Sequence, residues 1–318
     1  MASRHDHYPR TDAGRRRRMG QAAAGLDADW RAEDETGDGL LAAIDAVSSL
    51  PPEEAIDHLL PQLADTRWLA ARLTAATAML AAEPFARPPL RIVGGGPGGI
   101  LLAERGAIRL TLRLYRFEAS AAPPIALFVP GHAALRILVP GGARLRHHHV
   151  AVTADEEAGA FTAVAAASCR SDAPVSLAAD QILRFDTARS SFAIEGQSGD
   201  LLMLELAVQP PSRLPIRAYD IATGRLIHVA ASRRDSSFRQ MALALLRAFG
   251  CGEALPLFVA ETRADDFAAR WNAMRELVAL APVAARPHLA AMAASDPHPE
   301  VRCAAAATAA LLEPKEAA

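Results

Sequence analysis

His147, His148 and His149 stand side by side in the run Leu145-Arg146-His147-His148-His149-Val150-Ala151-Val152. Imidazole both titrates near neutral pH and ligates metals, so this triplet is the first place in the chain where chemistry is to be expected. The run reads as a strand. Successive side chains of a strand alternate faces, so His147 and His149 point one way and His148 the other. Two imidazoles on one face are half of a catalytic site for iron, manganese, nickel or zinc, which takes about three protein ligands and keeps a position open. Glu156 would complete the set, with Glu157, Glu195, Glu205 and His228 as other donors; no histidine occurs between His149 and His228. The competing reading is a strand whose histidines bond to backbone, to water or to neighbouring polar groups beside Arg144 and Arg146.

Other chemistries are thinly represented. The chain holds no GxSxG, Walker loop, HExxH or CxxC. Ser190-Ser191 lies near Asp186 and Arg189 but far in sequence from any histidine, and reads as a turn before a strand. Arg170 follows Cys169 and would lower the thiol pKa if the two side chains met; a free cysteine at a strand end is the simpler reading. Asp220 with Thr223-Gly224 is a turn signature. Leu90-Arg91-Ile92-Val93-Gly94-Gly95-Gly96-Pro97-Gly98-Gly99 contains GxGxxG, with Glu118 further on. This stretch resembles the FAD-binding opening of flavoprotein monooxygenases, in which glycines admit a pyrophosphate to a helix N-terminus. Only Ile100 to Arg105 separate the loop from Gly106, too few for a crossover of about ten residues. A glycine turn feeding a hairpin, Ile100–Glu104 and Ala107–Phe117, fits the spacing better.

The elements that must position these groups fall into four stretches. Residues 1–38 are polar, with Arg15 to Arg18 followed by Asp27, Asp29, Glu33, Asp34, Glu35 and Asp38, and are expected to be mostly disordered. Met19 offers an alternative start. Residues 39–86 carry helical stripes: Leu40, Leu41, Ile44 and Val47; then Ile56, Leu59, Leu60 and Leu63; then Trp68, Leu69, Leu73, Thr77 and Leu80. Ser48-Ser49 before Pro51-Pro52 is a capping signal for the second helix, and Asp65 and Thr66 for the third. Between 87 and 235 the period drops to two, with strand candidates such as Ala107–Phe117, Arg144–Val152, Phe161–Ala166 and Leu201–Val208 separated by glycine turns. After residue 236 helices return: Phe238, Met241, Leu245, Leu246 and Phe249 form one stripe closed by Gly250, and Phe267, Trp271, Met274, Leu277 and Val278 the next. The pattern implies an α+β protein: an antiparallel β-sandwich flanked by N-terminal and C-terminal helices.

Composition limits the function classes. A 51% hydrophobic fraction over 318 residues supplies ample core, and 34 Lys+Arg against 36 Asp+Glu leaves no net field to recruit nucleic acid or a membrane. No apolar stretch follows the arginine run, so no leader or membrane span is expected. Cys169, Cys251 and Cys303 are sparse and odd in number, which points to reduced thiols and a cytoplasmic protein.

Two resemblances sharpen the expectation. Gly141-Gly142-Ala143-Arg144-Leu145-Arg146-His147-His148-His149 resembles the first motif of cupins, and Gln181–Asp186, Ser191–Gly196 and Gly199–Leu206 resemble later strands of that jelly roll. The metal-binding members add a Glu soon after HxH and a second-motif His; here the acid comes late, at Glu156 or Glu157, and Ala188 to Phe192 holds no histidine. Asp296-Pro297-His298-Pro299-Glu300-Val301-Arg302-Cys303-Ala304 resembles the second half of a HEAT repeat, over Arg270 to Glu313. In that reading the proline starts a helix and Arg302 reaches the turn carboxylate. The two together imply a non-catalytic binding or protein-interaction protein with no cofactor, recognising a protein partner or small ligand. The alternative they leave is a metal-dependent cupin-type oxygenase or isomerase with His147, His149 and Glu156 as ligands.

Overall fold

The computed structural model describes residues 13–37, 39–94, 98–117, 125–232 and 234–312, and the first element it describes is a helix. Helix α1 (Ala13–Asp34) replaces most of the disorder expected for the head, of which residues 1–12 and 38 lie outside the described residues. Arginine and alanine are strong helix formers, so propensity carries a segment that has little apolar surface to bury. Its end is tied down by Trp30 and Asp34, both buried. Arg72 pairs with Asp34 and lies over the Trp30 and Trp68 rings at 5.5 and 5.4 Å.

The next three helices, α2 (Leu40–Ala46), α3 (Pro52–Ala64) and α4 (Arg67–Ala82), follow the expected stripes. The serine cap of α3 does not form. Pro51 is its N-cap, and Ser48 Oγ donates instead to the Asp45 carbonyl at 2.8 Å. At α4 it is Asp65 that takes a first-turn N–H, from Arg67 at 3.0 Å.

The sandwich is built from β1 (Arg91–Val93), β2 (Gly98–Arg105), β3 (Ile108–Tyr115), β4 (Ile125–Phe128), β5 (His132–Val139) and β6 (Arg144–His149). It continues with β7 (Arg170–Ser171), β8 (Val175–Ser176), β9 (Ile182–Asp186), β10 (Ser190–Glu195), β11 (Leu201–Val208), β12 (Ile216–Asp220) and β13 (Leu226–Ala230). The pairing is nested and antiparallel: β4 with β12, β5 with β11, β6 with β10. A long ribbon folded over in this way is a jelly roll, the double-sheet architecture of cupins. One six-stranded sheet runs β1-β2-β3-β11-β5-β9; opposite it lie β10-β6-β7 with β8, and β13-β12-β4.

The glycine run opens a hairpin, as its spacing implied. β1 pairs antiparallel with β2, and β2 with β3 around Gly106 at φ +54°. No crossover helix follows Gly99, so the dinucleotide reading fails; Gly95, Gly96, Pro97 and Glu118 lie outside the described residues.

Alternation along the six-stranded sheet feeds two cores. Ile108, Leu110, Ala134, Leu206 and Val208 pack against Ile44, Ile56, Leu59 and Leu63 of the N-terminal helices. Leu135, Ile137, Leu201, Met203 and Phe185 face inward and meet Leu145 of β6. Each fully buried aliphatic side chain contributes about 1.5–3 kcal/mol. The expected strand at 161–166 is absent: Phe161 is buried in a loop, packed with Ala188 and Leu214.

The helical tail comprises α5 (Arg234–Ala248), α6 (Leu255–Glu261), α7 (Phe267–Leu280), α8 (Pro282–Ser295) and α9 (Pro299–Leu312) around Phe258, Met274, Leu277, Leu289 and Val301. Asp266 caps α7 by accepting from Ala268 N and Ala269 N. The turn carboxylate of Asp296 is taken by Arg270 through two 2.8 Å bonds, not by Arg302, which donates to the carbonyls of Asp296 and Pro297. His298 joins the tail to the sandwich by donating Nε2–H to the Phe161 carbonyl at 2.6 Å. Among the described residues no helix is long and apolar enough to cross a membrane.

Candidate functional site

Gly141 and Gly142, at φ +56° and +67°, turn the chain into β6. A Cβ on Gly141 would stand 2.4 Å from the Asp200 carbonyl oxygen, so this turn requires glycine there on both counts. β6 then runs beside β10 with His147 opposite Phe192 and His149 opposite Ser190. The alternation read from sequence holds: Leu145 and His147 face the sandwich interior, where His147 lies against Phe185, while His148 is fully buried on the other side.

The rings of His147 and His149 lie parallel, 1° apart in plane and 5.8 Å between centroids. His147 also stacks on Phe185 at 5.3 Å, and Phe185 in turn meets Phe192 at 5.3 Å. Burial in this aromatic stack pushes the His147 pKa down, helped by the neighbouring His149 and opposed by Asp172. His149 Nε2 lies 2.8 Å from Asp172 Oδ2, and its Nδ1 lies 3.4 Å from Ser190 Oγ. The backbone N–H of Asp172 donates to the His147 carbonyl at 2.9 Å, which holds the loop against the strand. His148 bonds Ser171 Oγ at 2.7 Å through Nδ1 and, among the described residues, has no hydrogen-bond partner at Nε2; burial lowers its pKa, with Arg146 adding to the effect. Arg146 clamps Glu195 at 2.6 and 3.1 Å and holds that carboxyl below its ordinary range.

This arrangement does not fit a divalent ion as it stands. Imidazole lone pairs lie in the ring plane, so two parallel rings aim their nitrogens along parallel planes, whereas ligands must converge to within about 2.0–2.2 Å of one ion. Glu156 is spent elsewhere: its carboxylate accepts the Thr153 N–H at 2.7 Å and its own N–H donates to Thr153 Oγ1 at 3.2 Å, a capping box. Glu157 pairs with Arg189 at 2.9 Å and Glu205 with Arg113 at 2.6 Å. Among the described residues no three of His, Cys, Asp and Glu are grouped to hold a metal. The structure brings His147 and His149 together and leaves Glu156 outside.

Sequence reasoning missed Asp172 and set Ser190 aside as a turn residue. Asp172 reaches His149 only because β7 pairs with β6, and Ser190 only because β10 does. Ser190, His149 and Asp172 form a chain in the order nucleophile, base and orienting acid. The 3.4 Å Ser190 link is longer than the roughly 2.6–3.2 Å over which a base takes a proton. With side-chain exposures of 45% and 60%, the His149–Asp172 contact is a solvent-screened one, worth about 0–1 kcal/mol. At Cys169 burial pushes the thiol pKa up, against the lowering that Arg170 suggested.

A second feature lies on the helical tail. Of the stripe expected for α5 only Leu246 turns toward the core, beside Leu243, which lay outside that stripe. Leu243 is buried against the core and Leu246 partly so, while Phe238 (67% exposed), Met241 (64%), Leu245 (54%) and Phe249 (72%) face solvent. Their spacing places these four on one side of the helix, opposite Leu243.

A family model of HEAT repeats matches residues 224–310, a longer stretch than the repeat half visible at Asp296–Ala304. No curated protein matches the chain. Among solved structures it is similar to a cupin domain from Bordetella pertussis, at 8% identity over 37% of this chain and 99% of that one, TM-score 0.20. It is also similar to a protein with a double-stranded β-helix domain from Klebsiella pneumoniae, at 13% identity over 37% and 82%, TM-score 0.23. A third is hydroxypropylphosphonic acid epoxidase from S. wedmorenis, at 10% identity over 58% and 97%, TM-score 0.25. These likenesses concern the fold and assign no residue of this chain.

Proposed function

We propose that this protein is a non-catalytic interaction protein, in which a jelly roll supports HEAT-like helices that bind a helix of a protein partner. One observation carries the reading: the solvent-facing row Phe238, Met241, Leu245 and Phe249. Contiguous exposed apolar side chains are uncommon on monomeric proteins and mark interaction surfaces. A HEAT-like helix inside a stack is flanked by neighbouring helices, and among the described residues α5 packs mainly on α7. The row forms a ridge of the kind that packs into the groove of another helix. Support also comes from the sandwich interior, where the Phe185 ring stacks on His147 and Phe192 meets Phe185. The metal-dependent oxygenase or isomerase reading would require both histidine rings to leave their parallel stack.

The test compares wild-type full-length chain with Phe238→Ser/Leu245→Ser as bait in extracts of the source cells. Partners are then purified and titrated back. The expected result is a defined partner whose affinity falls about tenfold or more in the variant, since two exposed anchors are lost. A partner bound equally by both proteins, or turnover of a small molecule by the purified chain, overturns the proposal.

A further inference from the structure

Where the tail meets the sandwich, a cleft of about 290 Å³ opens between β13 and helices α5, α7 and α9. That volume sits at the lower edge of the roughly 300–1,000 Å³ range of small-molecule sites. Its walls are apolar, made chiefly by Val229, Phe267, Trp271 and Val301. They are also fixed in place. The Phe267 ring stacks on His298 at 3.9 Å and 4°, and His298 is held by the Phe161 carbonyl.

The polar side of the cleft is chemically unfinished. Glu300 lines it, but its carboxylate accepts the Val164 N–H at 3.2 Å. Arg275, Gln240 and Asn272 also line it, and among the described residues none of the three makes a side-chain hydrogen bond or ion pair. A guanidinium and two amides thus line one cleft with their donors open to a ligand. Arginine binds carboxylates through two parallel N–H bonds, and the amides add neutral donors to the lining.

We infer that this cleft binds a small organic carboxylate, with an aryl or branched-alkyl body against Trp271 and Phe267 and its carboxylate on Arg275. The site is separate from the exposed row of α5, so it stands or falls independently of the partner-binding reading.

Phenylacetate and its neutral counterpart phenylacetamide are the probes, titrated into the full chain by ligand-observed NMR and calorimetry. Wild type is expected to bind phenylacetate about tenfold tighter than phenylacetamide, a charge-assisted pair being about twice as strong as a neutral one. Arg275→Gln, an exposed substitution that leaves the core alone, is expected to bring the two probes within about twofold of each other. Ala304→Leu, which narrows the cleft, is expected to weaken both. The inference is overturned if phenylacetate does not bind at about 10 mM, beyond the reach of a weak fragment. Equal affinity for the two probes in wild type, or binding indifferent to Arg275→Gln or to Ala304→Leu, overturns it as well.

Discussion

The buried pair Arg270–Asp296 gives the sharpest quantitative test of how the helical tail is held. Their side chains are 9% and 4% exposed, and the carboxylate accepts three bonds of 2.8 Å: two from Arg270 and one from the His298 N–H. Arg270 Nη1 meanwhile serves the carbonyls of Ala264 and Asp265 at 3.0 and 2.9 Å. Asp296→Ala therefore strands a guanidinium away from water and frees the turn that carries His298, the contact between tail and sandwich. Breaking a buried pair from one side costs about 3–5 kcal/mol. At about 2–4 °C per kcal/mol for a unit of this size, the melting temperature should fall by about 6–20 °C. Replacing both partners, as Arg270→Met/Asp296→Leu, removes the stranded charge, so the double variant should lose clearly less than the sum of the singles. The coupling expected for such contacting groups is about 0.5–3 kcal/mol. Urea denaturation followed by circular dichroism at 222 nm measures it. A single-variant loss under about 1 kcal/mol, or singles that simply add, would refute the reasoning.

Three further outcomes follow from the structure. The pKa values of His147 and His148 are both lowered by burial, so below pH 6.5 the unfolded chain binds protons that the folded chain resists. Stability is then fully present above about pH 6.5 and lost as pH falls toward the folded values; melting curves from pH 7 to 5 should show the decline, and His147→Phe should shrink it. Elemental mass spectrometry of untagged protein should find well under one equivalent of iron, manganese, nickel or zinc, unchanged in His147→Ala/His149→Ala; a near-stoichiometric metal that the double variant loses would restore the enzyme reading. On α5, Leu243→Ala should cost about 2–5 kcal/mol because Leu243 is buried, whereas Met241→Ser on the open side should stay within about 0.5 kcal/mol; similar losses at both positions would mean that the row is not free.

Much of the fold was legible because it is written in local periodicity. The stripes of α3 and α7, the alternation of β3 and β11, and the Gly106 hairpin each depend on residues within a few positions of one another. The failures share the opposite property. Helix α1 looked like a solvated head, and what anchors it is Arg72 on α4, 38 residues from its partner Asp34. The segment at 161–166 alternates like a strand, yet its anchor is His298, 137 residues away. Periodicity also placed Phe238, Met241, Leu245 and Phe249 on one side of α5 correctly, without saying that the side is open. Whether an apolar stripe is covered depends on what folds over it.

The histidine triplet shows the same division inside one site. Strand geometry alone puts His147 and His149 on a common face, about 6.6 Å apart along the chain at about 3.3 Å per residue. Two ligands of one ion must bring their nitrogens far closer, so a pair at this spacing has to tilt inward around a third donor before it becomes a metal site. Here every neighbour that sets the ring angles comes from elsewhere. Phe185 on β9 backs the His147 ring, Phe192 on β10 backs Phe185, and Asp172 beyond β7 draws the His149 Nε2 toward the loop. Those contacts favour the parallel stack, and the acid that the sequence offered, Glu156, is held by Thr153. An HxH pair in a strand therefore fixes direction but not convergence, which is decided by the aromatic and acidic side chains that the opposing strands and loops bring to it.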